Sequence, residues 1–583
     1  MMKCNVCEIG CRIEADTFGR CSMYTLENGT LKERFAHQYS TLFPISIETV
    51  PTLHFFPNHK FLQVSTIGCN FRCPGCISEI LATGTRTLSA TLKKVEPNQV
   101  VKKALRENCT GIVFCINDPS VSYFSFLELA RMARKSGLKM GFSFNGYLTQ
   151  EALLELIPHT DFVNIGIKGF SDRPYRTCGA LSSGPVLRNL KILVNEGVHV
   201  EVAAIHMKNC EDDIKQIARY TAALSRDIPF QVMRFVPFGE AEIRYEPTIR
   251  ESETLCTDLQ ELLSHVYLFN SPGSNRLNTL CSSCGRTLIT REFFGPMGAR
   301  NVDMMPCLIE QNRCQCRAKA PFEGSCAPNR YDEHGFFGGY RTTRAFEMLH
   351  AILVCIGAED PVKVSDLWFD IMNSNYLKTF HDLVQLPHKY GEVINYLSEK
   401  TDRQARGKEL RDHINQKLEL ITSKSRDLKP PTVYYAMGYP LFALNAERFE
   451  TNLVEAAGGR CLNKQLTRKG KPGVTLSRDE FMALNPEVIF ISGFLSCPAS
   501  DFIDFCLNND LDVAAVRHQR IYDHFPLWDF GSPRWILGLM HIANTLHPDV
   551  FSFDMKQEAD TFYRQFFNTP FEPANANRSF YRV

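Results

Sequence analysis

Between residues 61 and 236 short apolar runs alternate with stretches whose apolar residues recur every three or four positions. The runs predict strands at 61–67, 111–116, 139–144, 162–167, 198–205 and 229–236. The periodic stretches predict helices near 97–107, 124–136, 149–158, 184–196 and 211–224. Regular alternation of β and α implies parallel strands joined by helical crossovers. Six such units make an α/β fold, a partial (β/α)6 TIM-like barrel, and barrel chemistry collects at the C-terminal strand ends. Those ends carry, in turn, a cysteine cluster, Asn117-Asp118-Pro119, Asn145-Gly146, Lys168-Gly169, His206, and Arg234 with Pro237. Each alone reads equally well as a turn or cap residue. As a set they mark one face.

The pattern changes in the second half. Residues 389–425 place Val393, Ile394, Leu397, Leu410, Ile414, Leu418 and Ile421 among many charged residues, which predicts one long amphipathic helix. Pro430-Pro431 ends it. A strand (432–436), a helix closing at Gly458-Gly459, a capping box at Ser477-Arg-Asp-Glu480 and a buried strand (487–492) follow. This is α/β again.

Composition is that of a globular chain: 583 residues, 44% hydrophobic, 22% charged. A length of this order predicts two or three domains. The net charge of +1 gives no electrostatic footprint for nucleic acid or an anionic membrane. No apolar run is long enough to span a bilayer, and Met1-Met2-Lys3-Cys4 starts no apolar signal region, so a cytoplasmic protein is expected. The 22 cysteines are uneven, with 18 before residue 331. In a cytosolic chain such crowding favours metal ligation over disulfides. All three tryptophans (Trp368, Trp528, Trp535) lie in the other half, which places a boundary near 328–342. The expected segments are 1–60 (cysteine-rich), 61–265 (barrel), 266–335 (cysteine-rich) and 341–583.

Directly after the first strand comes Gly68-Cys-Asn-Phe-Arg-Cys-Pro-Gly-Cys76. Cysteines 69, 73 and 76, spaced C-x3-C-x2-C, can ligate three irons of a [4Fe–4S] cluster and leave the fourth open to a small molecule. A zinc knuckle would need a fourth ligand nearby, and none is present. This motif at the end of a first strand resembles the radical S-adenosylmethionine (SAM) superfamily. Residues 1–316 further resemble relatives of pyruvate formate-lyase activating enzyme, in the AmmeMemoRadiSam branch, through Gly111–Pro119, Phe144–Tyr147, Asn164–Phe170 and Arg234–Pro237. The resemblance implies that the open iron chelates the amino acid end of SAM and that one electron cleaves it to a 5′-deoxyadenosyl radical. It implies contacts to SAM from Asn117, Asp118, Pro119, Asn145 and Lys168, with His206 and Arg234 at the neighbouring strand ends. The chain departs from the pattern twice. Gly75 replaces the usual aromatic residue beside the last cluster cysteine, and Gly166 replaces the Asp of an Asp-x-Lys pair.

Two more cysteine groups flank the barrel. Cys4, Cys7, Cys11 and Cys21 form C-x2-C-x3-C-x9-C. Cys281, Cys284, Cys307, Cys314 and Cys316 form the other, with Cys281-Ser-Ser-Cys284-Gly a zinc-knuckle-like hairpin that Cys314-Gln-Cys316 can close. Either group suits zinc or an auxiliary iron–sulfur cluster. Structural zinc is the default for 281–316. Cys109, Cys115, Cys178, Cys210, Cys256 and Cys326 read as packing residues.

Phrases of the second half resemble the helical-backbone periplasmic binding proteins for iron–siderophores, haem or cobalamin: Val454–Gly459, Ser477–Glu480, Asn485–Ile489, Gly531–Gly538 and Leu546–Asp549. The resemblance implies a two-lobed α/β domain with a long backbone helix and a shortened first lobe at about 341–388. Its cleft would be lined by Tyr434, Tyr435, Met437, Tyr439, His524, Trp528, Asp529 and Arg534. The same aromatics read equally as lobe core.

Together these features lead to a cytoplasmic radical SAM oxidoreductase that takes electrons from a flavodoxin or ferredoxin. Its substrate would be a small molecule or metal chelate held by the second half. The alternatives are an activating enzyme that installs a glycyl radical on a protein partner, and a non-catalytic metallocofactor carrier.

Overall fold

The apolar runs of the first half pair into one eight-stranded sheet. Its strands are β1 (Thr41–Ser46), β2 (Lys60–Ser65), β3 (Gly111–Phe114), β4 (Lys139–Phe144), β5 (Phe162–Ile167), β6 (His199–His206), β7 (Phe230–Arg234) and β8 (Val266–Phe269). In this computed structural model residues 1–573 are described, except 90–91, 238–240, 334–338, 375, 469 and 471. The order β8-β7-β6-β5-β4-β3-β2-β1 follows the chain from one edge to the other. Strands β2 to β8 are parallel, and β1 is antiparallel to β2. Crossover helices α1 (Pro97–Arg106), α2 (Tyr123–Lys135), α3 (Gln150–Leu156), α4 (Gly184–Asn195), α5 (Glu211–Leu224) and α6 (Ile249–Gln260) connect them. β3, β7 and β8 are buried at every residue, as expected when helices cover a parallel sheet.

The sequence reading is corrected at both edges. Six strands were expected and eight pair. β8 runs beside β7 with Phe230 opposite Val266, so the sheet passes the expected limit at residue 265. β1 escaped notice because Pro44 interrupts it. Proline lacks an N–H and is tolerated at an edge, which is where β1 lies.

The chain divides into two compact units. The first comprises Met1–Phe235, Tyr245–Asn270 and Ser274–Thr343, and the second Val236–Arg244, Ser271–Gly273 and Arg344–Val583. Part of the boundary expected near 328–342, residues 334–338, lies outside the described residues. In the first unit, a three-stranded antiparallel sheet (Thr279–Leu280, Thr287–Phe293, Ala299–Met304) carries Cys281 and Cys284 in its first turn, and Cys307, Cys314 and Cys316 follow its last strand.

The second unit holds one mixed sheet among its described residues. Strands Thr432–Ala436, Val488–Ile491 and Ile521–Asp523 are parallel, and Phe442–Leu444 runs antiparallel to the first. The segment read as a shortened α/β lobe is helical instead: Gly339–Cys355, Pro361–Asn373 and Tyr376–Leu383. A second α/β lobe is therefore absent among the described residues. The single long helix expected at 389–425 is two helices, Tyr390–Lys400 and Gln404–Ser425. Asp402 takes a left-handed φ of 56° at the break, and Arg403 N–H donates to the Ser398 carbonyl at 2.8 Å. The chain turns there, and the apolar stripes of the two helices bury Val393, Ile394 and Leu397 on one and Leu410, Ile414 and Ile421 on the other. No helix among the described residues is long and apolar enough to cross a membrane.

Candidate functional site

The cysteine loop leaves β2 and is fastened by the residues that end β3 and β4. Asn117 accepts a hydrogen bond from Thr66 N–H at 3.1 Å and donates to the carbonyls of Ile67 and Gly68 at 3.2 and 3.1 Å. Ile116 just before it has φ 80°, a left-handed conformation that a β-branched residue rarely adopts. That bend turns Asn117 back over the end of β2. Such strain collects at functional sites, where the surroundings impose it.

Asp118 accepts from Ser120 N–H at 3.0 Å and from Asn145 N–H at 2.8 Å, tying the end of β3 to the end of β4. Burial pushes its carboxyl up, against the pull of those donors. Pro119 opens the 3-10 turn that Asp118 caps. Asn145 donates to Asn70 Oδ1 at 2.6 Å and lies 3.8 Å from the Cys69 sulfur. Asn117, Asp118 and Asn145 thus use much of their hydrogen-bonding capacity to shape the loop, work that the sequence does not reveal.

Cys69, Cys73 and Cys76 are half-buried. Phe71 between them is buried and packs edge-on against Tyr147 at 5.1 Å and Tyr175 at 6.1 Å. Phe71 N–H donates to the Cys69 sulfur at 3.4 Å. Arg72 donates to the carbonyls of Cys69, Phe71 and Ala82. Gly75 has φ 68°, so the turn between Cys73 and Cys76 takes a conformation that disfavours the expected aromatic side chain.

Lys168 enters from the end of β5. Burial lowers it, but the thiols of Cys73, Cys178, Cys76 and Cys69 outweigh burial and raise it. A side chain on Gly166 would sit 3.6 Å from Lys168 Nζ, which is where the missing Asp of an Asp-x-Lys pair would lie. The ammonium is left facing the cysteines. Cys178, read as packing, belongs to this group. Its thiol and that of Cys73 shift each other, Cys178 downward and Cys73 upward, and its carbonyl accepts from Arg72 N–H at 2.8 Å. No local pattern marks it, since it follows a short helix about a hundred residues from the loop.

His206 and Arg234 pair in register at the ends of β6 and β7 but are engaged elsewhere. His206 contacts Ser252 at 2.9 Å and Glu211 at 3.4 Å, and burial lowers its pKa. Arg234 donates to Asn270 and Pro247 carbonyls and to Glu246 at 2.8 Å. Its Nη2 alone is left without a partner.

Cys281, Cys284, Cys314 and Cys316 bring their sulfurs within 4.8 Å of one another and could hold a metal ion. The sulfur pairs Cys281–Cys316 and Cys284–Cys314 are 3.7 and 3.6 Å apart. Tetrahedral zinc with Zn–S near 2.3 Å places its sulfurs about 3.8 Å apart, so the set has the dimensions of a single tetrahedral ion. Burial pushes Cys281 up, but N–H donors from Ser283 and Cys284 and the neighbouring thiols bring it below its usual range. Cys307 lies outside this set.

The C-terminal residues expected to line a cleft are packed inside the second unit. Tyr434, Tyr439, His524 and Trp528 are at most 6% exposed. Tyr434 donates to the Pro440 carbonyl, Tyr439 packs tilted against Phe505 at 4.6 Å, and His524 lies between Tyr435, Phe490 and His541. Tyr435 donates to Asp529, whose carboxyl burial pushes up to about 7. These aromatics pack as lobe core.

Residues 64–221, which include the cysteine loop, Asn117, Asp118, Asn145 and Lys168, match the Radical SAM superfamily. Residues 64–221 therefore carry a radical SAM domain. A protein of Methanocaldococcus jannaschii whose function is uncharacterized is 29% identical over 324 residues, covering 54% of this chain and 93% of its own length. Among solved structures, a periplasmic solute binding protein from Veillonella parvula is 19% identical, with a TM-score of 0.30. It covers 33% of this chain and 61% of its own. The vitamin B12 binding protein BtuF of Vibrio cholerae is 15% identical, with a TM-score of 0.23, covering 28% of this chain and 62% of its own. The chain spans about three fifths of the length of these binding proteins.

Proposed function

We propose that the chain is a radical SAM enzyme. The observation that carries this reading is the fastened loop of Cys69, Cys73 and Cys76 at the C-terminal ends of parallel strands, inside the segment that matches the superfamily. Three half-buried thiols, an N–H donated to Cys69 and the Lys168 cation make a setting suited to an anionic metal–sulfur cluster. In this reading the three thiolates hold three irons of a [4Fe–4S] cluster. When bound, the cluster supplies one electron that cleaves SAM to methionine and a 5′-deoxyadenosyl radical, which abstracts hydrogen from a substrate.

The chain's own residues bind and orient. Asn117, Asp118 and Asn145 set the shape of the loop, and Pro119 starts the turn beside it. Lys168 presents a cation to the carboxylate of SAM, and the free Nη2 of Arg234 is a further donor near the strand ends. A one-electron carrier such as flavodoxin or ferredoxin supplies the reducing equivalent. Cys281, Cys284, Cys314 and Cys316 hold zinc.

Anaerobically reconstituted protein given dithionite and SAM is expected to release 5′-deoxyadenosine. A Cys69→Ser/Cys73→Ser/Cys76→Ser variant is expected to release none. Equal release by both proteins, or none by the reconstituted wild type, would overturn the reading. The second outcome would move a non-catalytic metallocofactor carrier into its place.

A further inference from the structure

The metal set at 281–316 joins two surface turns that carry an unpaired basic patch. In the first turn Gly285 N–H donates to the Cys281 carbonyl and Cys281 N–H to the Arg286 carbonyl, both at 2.8 Å. In the second, Cys314 N–H donates to the Ala318 carbonyl at 2.9 Å and Arg317 N–H to the Cys314 carbonyl at 2.8 Å. Arg286 links the two by donating to Gln315 Oε1 at 2.9 Å. Residues 281–287 and 311–319 contain Arg286, Arg313, Arg317 and Lys319 and no aspartate or glutamate. All four cations are exposed, and none forms an ion pair with a described residue. The net charge of +1 averages over the whole chain and hides this patch.

The placement of these charges is not a by-product of folding. Arg313 and Lys319 stand directly opposite each other in an antiparallel bridge. Residues so paired project to the same face with Cβ atoms about 4.5–5.5 Å apart, and like charges there destabilise the pair. The Arg313 guanidinium also donates to the Arg317 carbonyl at 2.9 Å, which holds its charge over the turn. Arg317 itself takes φ 72°, a conformation that glycine adopts freely and arginine rarely. Neither placement helps the hairpin to form. An anion lying across it would offset the repulsion.

The other side chains of the turns select the kind of anion. Beside the cations, Ser282, Ser283, Thr287 and Gln315 are exposed, and all can donate hydrogen bonds. No large apolar or aromatic side chain lies in either turn. Protein interfaces are anchored by aromatic and apolar residues in a dry core. A phosphodiester backbone is held instead by Arg and Lys, with hydroxyls and amides around them.

Residues 321–327, directly after the second turn, run beside residues 54–58. Glu323 N–H donates to the His54 carbonyl and Phe56 N–H to the Glu323 carbonyl, both at 2.8 Å. Glu323 also lies 3.3 Å from His199 at the start of β6. The turns therefore attach at the N-terminal ends of the strands, away from the cysteine loop at their C-terminal ends. A molecule held there is anchored rather than presented for reaction.

We propose that Arg286, Arg313, Arg317 and Lys319 bind the phosphodiester backbone of a nucleic acid. The metal keeps the two turns together and so keeps the four charges in one patch. The proposal needs the metal set and is independent of the radical SAM reading. Each cation that neutralises a phosphate releases a counterion, so binding weakens as salt rises.

The test is fluorescence anisotropy of labelled oligouridylate and oligothymidylate with zinc-loaded full-length protein over a range of salt concentrations. Four phosphate contacts to a single strand give a slope of log affinity against log salt of about −2.8, and two give about −1.4. An Arg313→Gln/Lys319→Gln variant is therefore expected to bind more weakly, with a slope shallower by about 1.4. Its zinc content, urea midpoint and release of 5′-deoxyadenosine are expected to match wild type, which separates binding from a structural effect. Tighter binding of oligouridylate would identify RNA as the source of the backbone, and tighter binding of oligothymidylate DNA. No anisotropy change at low salt, or equal slopes for the two proteins, would overturn the proposal. So would poly-glutamate that displaces the label as well as unlabelled oligonucleotide of the same charge, which would make the patch a surface for an acidic protein.

Discussion

Asn117 shows how much of the site lies in hydrogen bonds rather than in cysteines. Its side chain satisfies one N–H and two carbonyls at the end of β2, all beneath the cysteine loop. Replacement by Ala leaves buried groups unpaired, at a cost of about 1–3 kcal/mol each where no water enters. Asn117→Ala is therefore expected to lose at least about 3 kcal/mol in chemical denaturation and to bind less iron. Unchanged stability would mean that water replaces the amide. His199, at the start of β6, gives a pH signature. Burial alone would lower it, but the carboxylates of Glu201 and Glu323, each 3.3 Å away, raise it to about 9. The unfolded value is about 6.5, so this pair stabilises fully below about pH 6.5 and its contribution is lost as pH rises through 9. The expected slope is at most about 1.4 kcal/mol per pH unit in that window, and His199→Gln should flatten it. Denaturation midpoints at pH 6 and 9 check this. The cysteine triad was legible because three like ligands at tight spacing admit few uses. Cys178 was not, because only folding brings it to Cys73.

At the scale of elements, the sequence showed interior strands and hid the edges. Runs such as Phe162-Val-Asn-Ile-Gly-Ile167 are apolar enough to declare burial on both faces. β1 carries Pro44, and β8 is only four residues long between a helix and a cysteine-rich segment. The second unit's helices were legible as apolar stripes, but their break was not, since Thr401-Asp402-Arg403 contains neither Gly nor Pro. Gly407 marks the consequence. A Cβ there would lie 2.4 Å from Ser398 Cβ on the preceding helix. Gly→Ala inside a helix ordinarily stabilises by about 1 kcal/mol, whereas overpacking costs about 1–3 kcal/mol. The overlap is with a Cβ rather than a flexible tip, so it should win. Gly407→Ala is expected to destabilise by about 1–2 kcal/mol in urea titration. A more stable variant would show that the two helices can move apart at no cost.

At the scale of the whole molecule, the uneven cysteines prove to be a property of one unit. Three groups of cysteines lie in the unit that carries the radical SAM domain: the loop at Cys69, Cys73 and Cys76, the N-terminal four, and the tight set of Cys281, Cys284, Cys314 and Cys316. The binding-protein phrases of the second half indicated an α/β unit, and the strands bear that out. They did not reveal that Tyr434, His524 and Trp528 would be enclosed, because an aromatic residue at a strand end reads the same in a cleft or a core. On the proposed reading, the loop at Cys69, Cys73 and Cys76 presents an open iron to SAM. The most direct measurement is electron–nuclear double resonance on the reduced protein mixed with SAM carrying 15N in its amino group. A hyperfine coupling from that nitrogen is expected, absent when Cys69, Cys73 and Cys76 are changed to Ser. A reduced wild-type cluster whose spectrum shows no 15N coupling would contradict it.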